Sequence, residues 1–292
     1  MNFAIYTDTS ANIPSPLAES RKLGIVPLSY CLNGENLEST DTESFDYTAY
    51  YTQMKDGAKI TTSQINPQKY MDYMEPALKQ GQDILFVGMS SGLSGSFSSA
   101  VSARAQLLEL YPDRKIRLVD SLGASLGEGL LVLKGADCRD SGMSLDETAD
   151  RLDRIRGNVY QIFTVDDLMH LRRGGRLSGA VALLGTLLNI KPILKGNEEG
   201  KIVNFAKTRG RNSVISQLAQ RYDRLAAEPE KQLVGISHCG CPEDAKQLAD
   251  LICRNRPPKD ILIVNHEPVT GSYLGPGALA LYFDGADDVR LK

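Results

Sequence analysis

The chain's 292 residues suffice for one large domain or two of ordinary size, and 42% hydrophobic with 24% charged residues describe a globular protein with a substantial core. Its 33 Lys plus Arg against 36 Asp plus Glu leave a net charge of −3, which gives no reason to expect nucleic acid or an anionic membrane as partner. The longest apolar run, "AVALLGTLLNI" (180–190), is far shorter than the roughly 20 residues that cross a bilayer. Five cysteines, an odd number behind a start without signal-like character, lead us to expect reduced thiols and a cytoplasmic protein.

In chain order, "FAIYT" (3–7) reads as a strand and "TDTSANIPSP" as a polar loop, with a helix starting near Pro16. "GIVPLSYCL" (24–32) is one extended segment, and "DYTAYYTQMKDG" is a helix closed by Gly57. "TTSQINP" (61–67) is a second polar loop ending in the N-cap Asn66 and Pro67. The helix after it puts Tyr70, Met71, Met74, Ala77 and Leu78 on one face, with Pro76 expected to kink or break it. "DILFVGM" has the near-continuous apolar run of a strand buried on both faces. After "SSGLSGSFSSA" (90–100), Phe97, Val101, Leu108 and Tyr111 fall on a helical stripe, and "KIRLVDS" is the next strand.

Strand, polar loop, helix, strand is the rhythm of a parallel sheet, whose ligands sit beyond the carboxyl ends of the strands. The loops at 7–14, 61–66 and 90–96 are expected to open there. Helical pattern from about Ser125 to Ile155 is interrupted by "DCRDSGMS", and the character changes near Gly157. Beyond it come a strand "NVYQIFTV", the charged "DDLMHLRRGGRLSG", an apolar helix over 180–190 and two strands joined by a turn in "KPILKGNEEGKIVNFAK". Two strand–helix units and "GSYLGPGALALYFDG" complete the chain. The expected architecture is a two-domain α/β protein: residues 1–157 with a mostly parallel sheet flanked by helices, and 158–292 with a mixed sheet.

Three readings compete for the serine turn. Gly88, Ser90 and Gly92 match the G-x-S-x-G nucleophile elbow of a serine hydrolase, with His170, His238 and His266 all later in the chain. No histidine precedes it, however, and the turn stays polar through Gly95 instead of leading at once into helix. A second reading is a polar turn without ligand. The third is a cradle, in which helix N-terminal N–H groups and the Ser94 and Ser96 hydroxyls receive an anion. With neither Lys nor Arg in this turn or in "TTSQ", a single carboxylate on an apolar tail suits those donors better than a phosphate-rich ligand.

"RRGGRLSG" (172–179) is either a solvated turn or an arginine contact for an acidic or phosphorylated partner. "HCGCP" (238–242) has the wrong spacing for zinc; Cys241 precedes a helix, where a thiol pKa can fall, although a plain strand end explains the segment too. His266, in "VNHEPVTG", is either a strand-end histidine or a ligand group. No metal or cofactor is expected.

Taken together, these segments resemble the DegV family of bacterial fatty-acid-binding proteins. "YTDTSANIP", "TTSQINP", "SSGLSGSFSSA", "DDLMHLRRGGRLSG", "NIKPIL" and "GSYLGPGALALYF" appear in the family's order over essentially the whole chain, with Arg209 in the basic "AKTRGR". The resemblance implies a protein without turnover of its own that encloses one long-chain fatty acid. It implies a carboxylate held by hydroxyls and amides, and a role as the acyl-carrying subunit of a fatty acid kinase whose ATP-binding subunit is the partner. By motif match the ligand-binding set is Thr62, Ser63, Ser94 and Gly95, to which Tyr273, Thr270 and His266 are added. Arg173 and Arg176 fall in the segment that implies partner contact, and a monomer is expected. Two departures stand out: Tyr273 and Leu274 replace the family's His-x before Gly-Pro-Gly, and Ile65 stands where proline usually follows T-S-Q. A phenol can still donate to a carboxylate, but it is a poor acid–base group at neutral pH.

Overall fold

Phe3–Asp8 (β1) and Asp83–Gly88 (β6) carry the apolar runs that a doubly covered strand needs, and Ile5, Ile84, Leu85, Phe86 and Val87 are fully buried. The structure, a computed structural model, describes residues 3–40, 44–178 and 189–292. Two compact units share the chain: Met1–Phe45 with Lys59–Arg156, and Asp46–Ala58 with Gly157–Lys292. The sequence reading has a single division near 157; the fold adds an excursion, since 46–58 belongs to the second unit. Among the described residues no helix is long and apolar enough to cross a membrane, and all five cysteines are free.

In chain order the first unit contains β1, α1 (Ser15–Ser20), β2 (Leu23–Val26), β3 (Ser29–Leu32) and β4 (Glu35–Glu38). After α2 (Tyr47–Lys55), which is part of the second unit, come β5 (Ile60–Ser63), α3 (Pro67–Lys79), β6, α4 (Ser96–Leu110), β7 (Ile116–Asp120), α5 (Leu126–Asp140) and α6 (Leu145–Ile155). A four-stranded parallel sheet runs β2-β1-β6-β7. Its order reverses between β1 and β6, so the loops after these two strands open side by side at the switch point.

Three local expectations change. "GIVPLSYCL" breaks at Pro27 into β2 of the parallel sheet and β3 of a separate antiparallel sheet, ordered β4-β3-β5. Thr61–Ser63 is not a loop: it belongs to β5, at the edge of that small sheet, with Thr62 opposite Tyr30 and Ser63 opposite Ser29. Pro76 does not break α3. It lies on the exposed face one turn before the end, and the carbonyl it deprives belongs to Asp72, which is also exposed.

Helix α4 also turns a different face inward. Ser96, Ser99, Ala100, Ala103 and Leu107 are buried, whereas Val101 is 46% exposed. Small side chains let this helix approach closely, so its core face is legible as small residues at helical spacing rather than as bulky apolar ones.

The second unit continues with β8 (Val159–Thr164), α7 (Met169–Arg173), β9 (Leu177–Ser178), β10 (Ile190–Gly196), β11 (Ile202–Arg209) and α8 (Arg211–Leu225). It closes with β12 (Leu233–His238), α9 (Pro242–Asn255), β13 (Asp260–Asn265), α10 (Pro268–Leu274) and β14 (Leu279–Asp284). Its seven-stranded mixed sheet runs β13-β12-β14-β8-β10-β11-β9. Tyr222 packs edge-on against Phe283 at 5.3 Å between ring centroids, and Tyr160 packs on the same ring. Of the apolar helix expected over 180–190, residues 180–188 lie outside the described residues, and Ile190 already belongs to β10.

One polar cluster sits inside the first unit. Asp8 and Glu128, at the end of β1 and the start of α5, are both buried. Thr7 Oγ1 donates to Glu128 at 2.7 Å, Ser10 Oγ bonds its other oxygen, and the Ser10 amide donates to Asp8 at 2.9 Å. Burial pushes both carboxyl groups above their ordinary pKa, and the Asp8 charge pushes Glu128 up further. The folded protein therefore keeps a proton on Glu128 at pH values where the unfolded chain has released it, and stability falls as pH rises from the ordinary carboxylate range through the folded value. Glu128→Gln retains the acceptor and abolishes the titration. Denaturant melts across pH should show the wild-type slope reduced by up to about 1.4 kcal/mol per pH unit in this variant; parallel curves for the two proteins would show that Glu128 does not titrate differently on folding.

Candidate functional site

In the first unit the two hydroxyl-rich segments meet. The buried Ile65 amide donates to Ser96 Oγ at 3.1 Å, and Gln64 Nε2 reaches Ser99 Oγ at 3.4 Å. Gly95 leaves the room this requires: a Cβ there would lie 2.1 Å from Gln64 Oε1. Ser94 Oγ accepts from the Ser96 amide at 3.1 Å and donates to Ser96 Oγ at 3.0 Å, satisfying an orphan donor at the start of α4. Thr62 and Ser94 are half-buried, while Ser63 and Gly95 are exposed. Ser96 figures in the sequence reading only as an additional donor; in the fold it is the joint between the segments. The pattern T-S-Q carried the signal for Gln64, but nothing in spacing marks the Ile65 amide.

Ser90 lacks the features of a nucleophile elbow. It is fully buried, does not have a positive φ, and lies six positions before α4 begins. Its Oγ accepts from the Gly92 amide at 3.1 Å, closing an ST-turn, and its amide donates to the Gly123 carbonyl at 2.8 Å. All three histidines belong to the second unit.

There, two other motifs dock on each other. Gly275 and Gly277 of the Gly-Pro-Gly turn both have positive φ, 79° and 81°. The His170 ring lies against Gly275 and the Asp166 carboxylate against Gly277, so the segment after β8 clasps the turn from both sides. Tyr273 packs on Gly174, where an added Cβ would come within 2.3 Å of the ring, and the Arg176 guanidinium stacks 4.5 Å from the Tyr273 centroid. Arg172 and Arg173 are exposed at the end of α7. Asp166 also pairs with Lys191 at 2.6 Å.

His266 is enclosed. Its Nε2 lies 2.7 Å from Ser237 Oγ and its Nδ1 3.3 Å from Thr270 Oγ1, while Tyr51 Oη of α2 donates to its carbonyl at 2.9 Å. Burial lowers its pKa to about 3, so the ring is neutral at physiological pH. Glu267, also buried, caps α10 by accepting from the Val269 and Thr270 amides. Cys241 follows the end of β12 and occupies the N-cap position of α9 without a side-chain capping bond, and its thiol pKa does not fall: burial outweighs Arg211 and pushes it up to about 11. Among the described residues no cluster of three His, Cys, Asp or Glu side chains could hold a metal ion.

Residues 2–285 match the model of the DegV family. A DegV domain-containing protein of Clostridium perfringens is 39% identical over 285 residues, covering 97% of each chain. The chain belongs to the DegV family. Two solved DegV structures share its fold. One, described as a fatty-acid-binding DegV family protein of Thermus thermophilus, superposes with a TM-score of 0.88 at 29% identity, over 98% of this chain and 100% of that one. The other, DegV of Bacillus subtilis, described as a fatty acid binding protein, gives 0.83 at 30% identity over the same shares.

Ser96→Ala tests the joint in this DegV protein. It leaves the Ile65 amide buried without its acceptor, and chemical denaturation should report a loss of about 1–3 kcal/mol. Wild-type stability in that variant would mean that the two segments are held together by other contacts.

Proposed function

We propose that the protein binds one long-chain fatty acid and presents its carboxylate to the ATP-binding subunit of a fatty acid kinase. The observation that carries this reading is the meeting of two hydroxyl-rich segments in a turn free of Lys and Arg. Thr62, Ser63, Ser94 and the Gly95 amide form the carboxylate's donor set in this reading, the Ser94 hydroxyl turning from Ser96 Oγ to the carboxylate when the ligand binds. His266, neutral and fixed by Ser237, orients Thr270. The two fatty-acid-binding DegV relatives support the ligand class.

Neutral donors fit the chemistry. A lysine would form an ion pair that stabilises the carboxylate and draws electron density from the attacking oxygen. Hydroxyls and amides hold the group in place and leave it nucleophilic. One carboxylate oxygen attacks the γ-phosphorus of ATP, the bond to the β-γ bridging oxygen breaks, and ADP leaves as the acyl phosphate forms. This protein supplies the positioned substrate, and Arg173 and Arg176 serve as its contact with the acidic or phosphate-bearing partner. The tail gives affinity, at about 0.8 kcal/mol per buried methylene.

Denaturing mass spectrometry of protein purified from cells should find a long-chain fatty acid at about one per chain. Ser94→Ala and Thr62→Ala should each weaken retention of added oleate about ten- to hundredfold, the effect of losing one hydrogen bond to a charged group. Preparations that are empty and take up no oleate would refute the binding function; unchanged retention in both variants would move the carboxylate elsewhere.

A further inference from the structure

Tyr273 occupies the position before Leu-Gly-Pro-Gly where the related motif has histidine, and its surroundings in the second unit give it a task of its own. The ring is flanked by two residues of the arginine segment. On one side is Gly174, whose missing side chain makes room for it; a Cβ there would come within 2.3 Å of Cδ1 and 2.5 Å of Cε1. On the other is Arg176, whose guanidinium carbon lies 4.5 Å from the ring centroid. The Arg176 side chain folds back so that Nη1 donates to the Gly174 carbonyl at 2.5 Å, and its amide donates to the Leu171 carbonyl at 3.0 Å. Arg176 is thus tied at backbone, at guanidinium edge and at guanidinium face, whereas Arg172 and Arg173 are exposed.

The platform under the ring is equally fixed. Tyr273 lies in the last turn of α10, whose first turn is capped by the buried Glu267 and whose end is gripped by His170 against Gly275. The contacts of His170 with Gly275, Asp166 with Gly277, and Gly174 and Arg176 with Tyr273 join the segment 166–176 to the segment 267–277, so the ring and the arginine are carried by one clasped body.

We propose that Tyr273 is a positioning residue for Arg176: its ring face orients the guanidinium towards the anionic surface of the kinase partner. This rests on the reading of the arginine segment as a partner contact. A free arginine side chain loses rotamer entropy when it binds; one already stacked on an aromatic face has lost it beforehand and offers its donors in a set direction. A phenol ring supplies a broader and more electron-rich face than a neutral imidazole, which ties the tyrosine here to the arginine rather than to proton transfer.

Two measurements on the full chain test it. With ¹⁵N-labelled arginine, the Arg176 Nε–H signal should be shifted upfield by the ring in the wild type and in Tyr273→Phe, and return to the unstacked position in Tyr273→Leu. With the oleate-loaded protein as substrate of a fatty acid kinase ATP-binding subunit, Tyr273→Leu should raise KM about fivefold, the value of one exposed cation–π contact. Its kcat should change little, Phe should restore KM, and the Leu change should add nothing in an Arg176→Ala background. An unshifted Arg176 signal in the wild type, or a Leu variant with wild-type KM beside an impaired Arg176→Ala, overturns the positioning role while leaving the carrier function standing. Equal KM for Arg176→Ala and wild type removes Arg176 from the contact and the proposal with it. Absence of any acyl phosphate from the wild type refutes the carrier function itself.

Discussion

The hydrogen bond from the Ile65 amide to Ser96 Oγ is the constraint on which the first unit's site depends. It joins the end of a small antiparallel sheet to the start of a helix that packs on a different, parallel sheet. A serine hydroxyl suits that joint because it accepts two bonds, here from Ile65 N–H and Ser94 O–H, and is small enough to be buried at a helix terminus. The residue at 65 has to supply an N–H for this to work. Proline, the residue the related motif carries after T-S-Q, has none, so this chain holds its two segments together by a bond that the proline version cannot form.

That joint also explains why a turn with so many hydroxyls contains no cation. The Ser90 and Ser94 hydroxyls serve the backbone of their own turn, and those of Ser96 and Ser99 serve the facing segment. A lysine here would have to be desolvated against the helix start, whose partial charge is also positive. The buried Asp8 and Glu128 are part of the same electrostatic logic. Asp8 Oδ2 faces the Met89 amide, next to Ser90, so an ionised pair would set negative charge beside any anion received by the turn. Burial and the Asp8 charge raise the Glu128 pKa, which favours a proton on the pair and so reduces the negative charge beside a turn that has no cations.

Much of this was legible because core strands and turn residues leave strong local marks. The apolar runs "FAIYT" and "DILFVGM" locate adjacent parallel strands, and the hairpin of β10 and β11 follows from two runs around "GNEEG". What was hidden depends on partners distant in sequence. Thr61–Ser63 has loop composition, and only its ladder with β3 makes it a strand. The α4 core face escapes a search for large apolar side chains because the packing there is made by Ser, Ala and one Leu. The membership of 46–58 in the second unit depends on Tyr50 and Tyr51 donating to the Pro268 and His266 carbonyls, more than two hundred residues away. Cys241 shows the limit of a local rule: the helix start predicts a lowered thiol pKa, and burial reverses the sign.

The motifs acquire a physical meaning from the way they meet. "TTSQINP" and "SSGLSGSFSSA" touch within one unit, and "DDLMHLRRGGRLSG" touches "GSYLGPGAL" within the other. In each pair a glycine sits at the point of closest approach, Gly95 against the end of the Gln64 side chain and Gly174 against the Tyr273 ring. A change on one side therefore alters the fit of its partner. The tyrosine at 273 is such a case, since a ring of that size can lie where it does only because residue 174 has no side chain, and the same ring then determines where Arg176 points.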